Sequence, residues 1–158
     1  MSKIRGFLAT VYQQRFNQAV KELKKIINSG QLSNIFLASA KLASSRRQGY
    51  YDDHGGWRGK KKIAGGGVLI HQAIHVVDAL VYLLGEAAAV SGDIATFAHD
   101  IEVEDTAVAT IRFKNNTLRV ISATISAFAS LTNLFEAHGT RGSVIIQNET
   151  LTIFAAEP

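Results

Sequence analysis

The chain has no cysteine, which excludes a disulfide framework and any thiolate chemistry. It has a single proline, Pro158, at the far end. No apolar run reaches the roughly 18 residues needed to cross a bilayer. The longest candidate, 68–84, is interrupted by His71, Gln72, His75 and Asp78. The N-terminus, Met1-Ser2-Lys3-Ile4-Arg5-Gly6, has no apolar signal segment with a small-residue cleavage site. A cytoplasmic protein without membrane contact is therefore expected. No internal repeat and no low-complexity linker divides the chain.

What is present is a folded composition. Apolar residues make up 47% of the 158 positions, enough for one domain with its own core. The net charge is +4, yet the excess is not gathered into a stripe. Lys60-Lys61-Lys62 is one short run, and Lys21, Lys24 and Lys25 share a helix with Glu22. Solvated charges explain both, so no nucleic-acid partner is expected.

Periodicity assigns the elements. Residues 4–12 are rich in Ile, Phe, Val and Tyr and read as a strand. Phe16, Ala19, Val20, Leu23, Ile26 and Ile27 recur at helical spacing, with Asn17 as N-cap and Gly30 as stop. A strand over 33–43 follows. Residues 44–64 show no period and read as a long binding loop. Residues 68–84 read as one helix ended by Gly85 and apolar nearly all round. Strands are expected over 88–97, 106–113, 117–127, 134–138, 143–147 and 151–154, with Lys114-Asn115-Asn116 turning a hairpin. Helices early and consecutive strands late give an α+β domain. Its sheet is largely antiparallel and open-faced, with helices on one face. Along 117–127 one face carries Ile121, Ala123 and Ile125, and the other Leu118, Val120, Ser122 and Thr124. Neither face looks made for water, so assembly into a homo-oligomer through the sheet is expected.

The 68–84 helix has one polar stripe: His71, His75, Asp78 and Tyr82, spaced four, three and four apart. A buried helix must satisfy such a stripe from a cleft or from core partners. Histidines bonded in the core are one reading. A metal pair is another, but the helix lacks the Glu of a zinc protease and no cysteine completes a site. A substrate cleft is the third, with Asp78 orienting His75 for proton transfer. The run Gly65-Gly66-Gly67 opens this helix, as a tight turn or as part of a ligand cleft. It is not a dinucleotide fingerprint, since the third glycine position falls on Ile70 and no strand precedes it. Tyr50-Tyr51 and Trp57-Arg58-Gly59 either line a sugar site or anchor the loop.

Taken together, Gln14-Arg15-Phe16-Asn17, Trp57-Arg58-Gly59 and the run from Gly65 to Asp78 resemble the Gfo/Idh/MocA family. That is the group of glucose–fructose oxidoreductase and inositol dehydrogenase. Leu84-Gly85-Glu86, Val103-Glu104-Asp105-Thr106-Ala107 and His138-Gly139-Thr140-Arg141-Gly142-Ser143 fit as well. The resemblance implies the substrate-binding and oligomerisation domain of an oxidoreductase acting on a sugar or polyol. It also implies an N-terminal Rossmann domain, a Glu-Lys-Pro lysine and a final helix, none of which is expected in this chain. NAD or NADP would serve the full-length enzyme, and no cofactor is expected on this chain alone. His75 falls on the family's histidine that positions or protonates the reacting oxygen. The position one turn before it is often Asp; here it is His71. Catalytic roles for His75 and His71 are expected, with Trp57, Arg58, Asp78, Tyr51 and Arg15 binding substrate. A stand-alone binding or oligomerisation module without catalysis is the second reading.

Overall fold

A computed structural model describes residues 6–115, 117–130 and 133–155. Seven strands form one sheet in the order β2-β3-β4-β1-β5-β6-β7. They are β1 (Ile35–Ala43), β2 (Ala87–Ala95), β3 (Thr106–Phe113), β4 (Leu118–Thr124), β5 (Leu134–Gly139), β6 (Gly142–Gln147) and β7 (Thr150–Ala155). Only β1 and β4 run parallel; every other pair is antiparallel. The helices are α1 (Gln18–Asn28), α2 (Gln48–Asp52), α3 (Lys61–Ala64), α4 (Val68–His71) and α5 (Ile74–Leu84).

α1 begins as the sequence dictates: the Asn17 side chain accepts from the Ala19 N–H, satisfying one of the orphan donors of a helix start. α1 and α5 lie on one face of the sheet. Leu23, Leu80, Leu83, Ala38, Ile121, Ala137 and Val144 meet there in a single core. The expected alternation along β4 is present. Ile121 and Ala123 are 3% and 2% exposed toward the helices, whereas Leu118 and Val120 are 50% and 37% exposed on the uncovered face.

Arg119 is the exception on the covered face, at 1% exposure. It lies over the Phe113 ring and donates from Nη2 to the Leu84 carbonyl at 2.9 Å. Burial pushes its pKa down to about 10. Lys24 donates to the Tyr82 and Leu83 carbonyls from the other side. Two cations thus serve the carbonyl end of α5, where the helix dipole is negative. They fix the far end of the helix whose first turn carries His75.

Three expectations are corrected. The strand over 4–12 is not formed where it is described. Residues 6–12 are extended but irregular and lead into a 3-10 turn at Gln13–Phe16. Phe7 and Leu8 are fully exposed, and no described strand lies alongside to complete a ladder. Met1–Arg5, at the start of the chain, lie outside the described residues, as does Asn116 of the expected hairpin turn.

The helix over 68–84 is two helices. Ala73 N–H bonds to the Val68 carbonyl, five residues back, and the axis turns by 52° between Lys61–His71 and Ile74–Leu84. The break lets Val68 and Ala73 join a second core with Leu42, Tyr51, Ala107, Ala123 and Ile125, while α5 packs on the first. The loop over 44–64 holds α2, a 3-10 segment at Asp53–Gly59 and α3. Inside that segment His54, Gly55 and Gly56 are left-handed, which divides it into pieces too short to show a period. No single described helix is long and apolar enough to cross a membrane.

Candidate functional site

The turn into α4 explains its glycines. The Glu104 carboxylate accepts from Gly67 N–H at 2.8 Å and Leu69 N–H at 3.2 Å. The Val68 N–H bonds to the Glu104 carbonyl at 2.8 Å. A Cβ on Gly67 would stand 1.8 Å from that carbonyl oxygen, so only glycine lets the two backbones meet. The donors at this helix start therefore already hold an anion. A pyrophosphate does not fit there, because it would meet a carboxylate instead of free N–H groups.

Beyond the turn, His71, Gln72 and His75 border a cleft of about 480 Å³. Tyr50, Arg46 and Ser44 stand around it, with Gln14, Ser130 and Asn133. Three polar atoms here have no hydrogen-bond partner among the described residues: His71 Nε2, Gln72 Oε1 and His75 Nδ1. Native cores leave few buried polar atoms unpaired, and three on five consecutive residues beside this cleft make His71, Gln72 and His75 the candidate binding residues. Gln13 Nε2 lies 3.3 Å from His75 Nε2. With the amide donating, the ring proton sits on Nδ1 and Nε2 is the basic nitrogen.

Two of the expected binding residues hold each other. Arg15 donates from Nε and Nη2 to both oxygens of Asp78, at 2.8 and 2.6 Å. This fork raises the Arg15 pKa, chiefly through the side-chain bond to Asp78. Arg15 also stacks on Tyr82 and Tyr12. The pair ties the 3-10 turn to α5 and brings Gln13 and Gln14 against His75. Asp78 does not contact the His75 ring as an orienting carboxylate; Gln13 is the ring's hydrogen-bond partner. Neither Arg15 nor Asp78 borders the cleft.

Tyr51 is a core residue at 3% exposure, packed edge-on to Tyr50 and His99. Burial pushes its phenol up to about 12, so it stays neutral. Tyr50, its neighbour, is the tyrosine at the cleft. Trp57 meets the His71 ring edge-on at 5.7 Å and so backs that histidine. Arg58 stacks between Tyr50 and Trp57 and donates to the Tyr50 carbonyl. Both shape the wall without bordering the cavity.

The outer wall is tied down by a knot. Asp105, fully buried, accepts from the Phe97 and Ala98 N–H groups, from His99 Nδ1 at 3.0 Å and from the Thr106 hydroxyl. The other His99 nitrogen lies 3.0 Å from the Arg46 carbonyl. Gln14, Arg46, Gln72 and Asn133 were not singled out as site residues by sequence. Only their positions beside the Arg15 and His71 motifs could have pointed to Gln14 and Gln72.

A family model described as the GFO/IDH/MocA C-terminal domain matches residues 20–145. The chain belongs to the Gfo/Idh/MocA family. It is 32% identical to the WlbA dehydrogenase of Bordetella pertussis, solved in complex with NADH and UDP-GlcNAcA. That match has a TM-score of 0.87 and covers 94% of this chain and 47% of the other. A levoglucosan dehydrogenase structure with NADH and levoglucosan is 30% identical, with a TM-score of 0.83 over 93% of this chain and 43% of the other. The levoglucosan dehydrogenase of Pseudarthrobacter phenanthrenivorans is 28% identical over 169 residues, 87% of this chain and 41% of that protein. The chain thus spans less than half the length of these relatives and corresponds to the C-terminal domain of the family.

Proposed function

We propose that this domain binds the sugar or polyol substrate of a NAD(P)-dependent oxidoreductase in the cleft bordered by His71, Gln72 and His75. The carrying observation is the group of unpartnered polar atoms on those residues beside a cavity of about 480 Å³. A polyol offers donors and acceptors on every carbon and can satisfy such a set. The relatives' bound sugars support the same reading. NAD or NADP, held by a dinucleotide-binding domain, supplies the hydride acceptor. His75 takes the proton from the hydroxyl that becomes a carbonyl, and His71 holds a neighbouring hydroxyl. Arg15 and Asp78 position this pair by anchoring Gln13, and Trp57, Arg58 and Tyr51 keep the wall in place. The chain alone is expected to lack useful affinity for the nicotinamide cofactor, because its glycine turn is filled by Glu104.

The test joins this chain to the dinucleotide-binding half of the levoglucosan dehydrogenase relative and follows sugar-dependent cofactor reduction. His75→Ala is expected to lower kcat by about 10²–10⁴ with native folding kept. An unchanged rate removes His75 from the chemistry.

Assembly is proposed through the uncovered face of the sheet. Leu37, Val108, Leu118, Val120 and Phe154 are exposed there, all on strand positions that alternate away from the helices. A two-fold pairing would bury this face in a self-complementary contact. Sedimentation at micromolar concentration is expected to give a dimer or larger, and Val120→Glu a monomer. A monomeric wild type contradicts it.

A further inference from the structure

A second cavity, of about 280 Å³, opens on the other side of His75. It shares Gln14, His75, Val76 and Asn133 with the cleft, so the two adjoin at His75. Its depth lies between α5 and the sheet, where Ala79, Leu83, Ala40, Phe135 and Ile146 line it. Protein cores are close-packed, and voids larger than a water are few. An apolar cavity of about 150 Å³ already holds a benzene ring. An opening of about 280 Å³ between α5 and the sheet therefore has room for a group of that size.

The charge of the lining says what kind of group. Lys41 and Leu134 alternate with Ala40 and Phe135, so their side chains belong to the uncovered face and the Lys41 ammonium is directed away. Of the remaining lining residues only Glu149, in the turn between β6 and β7, is formally negative, and none is formally positive. A phosphate or diphosphate would find no counter-charge and would meet a carboxylate.

We infer that this cavity takes an uncharged apolar or aromatic substituent carried by the sugar, so that the substrate is a glycoside and not a free sugar or a nucleotide sugar. The inference rests on the sugar reading of the cleft, with the ring at His71 and His75 and the substituent passing His75 toward Ala79. Burying an aromatic ring there adds transfer free energy that an unsubstituted sugar lacks.

Protein-observed NMR titration of this chain decides it, with methyl β-D-glucopyranoside, phenyl β-D-glucopyranoside, UDP-glucose and phenol as probes. The phenyl glycoside is expected to bind at least about tenfold tighter than the methyl glycoside. Its ring protons should give intermolecular NOEs to the methyls of Leu83 and Ile146. Ala79→Phe, or Ala40→Val from the sheet side if the first variant does not fold, should bring the two affinities together. Equal affinities for the two glycosides, with shifts at His71 and His75, overturn the inference and leave the sugar reading standing. Tighter binding of UDP-glucose than of the phenyl glycoside overturns the uncharged class. Phenol shifting Leu83 and Ile146 while neither glycoside reaches His71 or His75 overturns the sugar reading and the attachment together.

Discussion

Gly67→Ala is expected to destabilise the domain by about 3–5 kcal/mol. The new Cβ would stand 1.8 Å from the Glu104 oxygen, 2.7 Å from its carbonyl carbon and 2.8 Å from its nitrogen. All three are backbone atoms, so nothing can swing aside. Overpacking of this kind costs about 1–3 kcal/mol. Moving Glu104 also lengthens its bonds to Gly67, Val68 and Leu69, each worth about 0.5–1.5 kcal/mol or more. The contrast is Gly66→Ala, whose Cβ would meet only the side chain of Ile70, half exposed and free to rotate. At about 2–4 °C per kcal/mol, Gly67→Ala should lower Tm by about 10 °C or more and Gly66→Ala by far less. Equal melting of the two variants contradicts the close backbone approach.

The second large effect is at Asp105. Burial alone would raise its pKa, but hydrogen bonds from Ala98 N–H, His99, Phe97 N–H and Ser126 outweigh that and hold it down at about 2. A carboxyl whose folded pKa lies below its unfolded value stabilises the fold above the unfolded pKa. That stability is lost as the pH falls through the folded one. With an ordinary value of 3.8, the shift is worth about 2 kcal/mol, present at neutral pH and lost between about pH 4 and pH 2. Asp105→Asn should flatten that acid limb and cost about 2–4 kcal/mol at neutral pH. Because His99 passes the tether to the Arg46 carbonyl, the same variant should loosen the cleft wall near Tyr50. Urea denaturation at a series of pH values measures both. An Asn variant with the wild-type acid limb removes Asp105 from the account of acid stability.

Local patterns were legible wherever one element decides its own conformation. The Asn17 cap, the Gly85 stop and the alternation along β4 all depend on residues close in sequence. The hairpin strands β3 and β4 follow from period two and a turn. What stayed hidden was long-range. Residues 6–12 have strand composition, but a strand needs a neighbour, and composition carries no information about one. The bend at Gln72 and Ala73 arises because Val68 and Leu80 belong to different cores, while apolar residues at helical spacing lie on both sides of it. His71 and His75, two members of the polar stripe, both border the cleft although the helix breaks between them. The stripe missed that Asp78 answers to Arg15, 63 positions away. Tyr50 and Tyr51 are indistinguishable in sequence, and only the turn of α2 decides which one is buried.

The sugar site itself is tested most directly by titrating this chain with a panel of monosaccharides and polyols while following backbone amides and imidazole protons by NMR. At least one sugar is expected to shift His71, Gln72, His75 and Tyr50 together, with the response lost in His75→Ala while the rest of the spectrum keeps its dispersion. Sugars that bind but shift only residues of the uncovered sheet face, such as Val120 and Thr110, would contradict the assignment of the cleft.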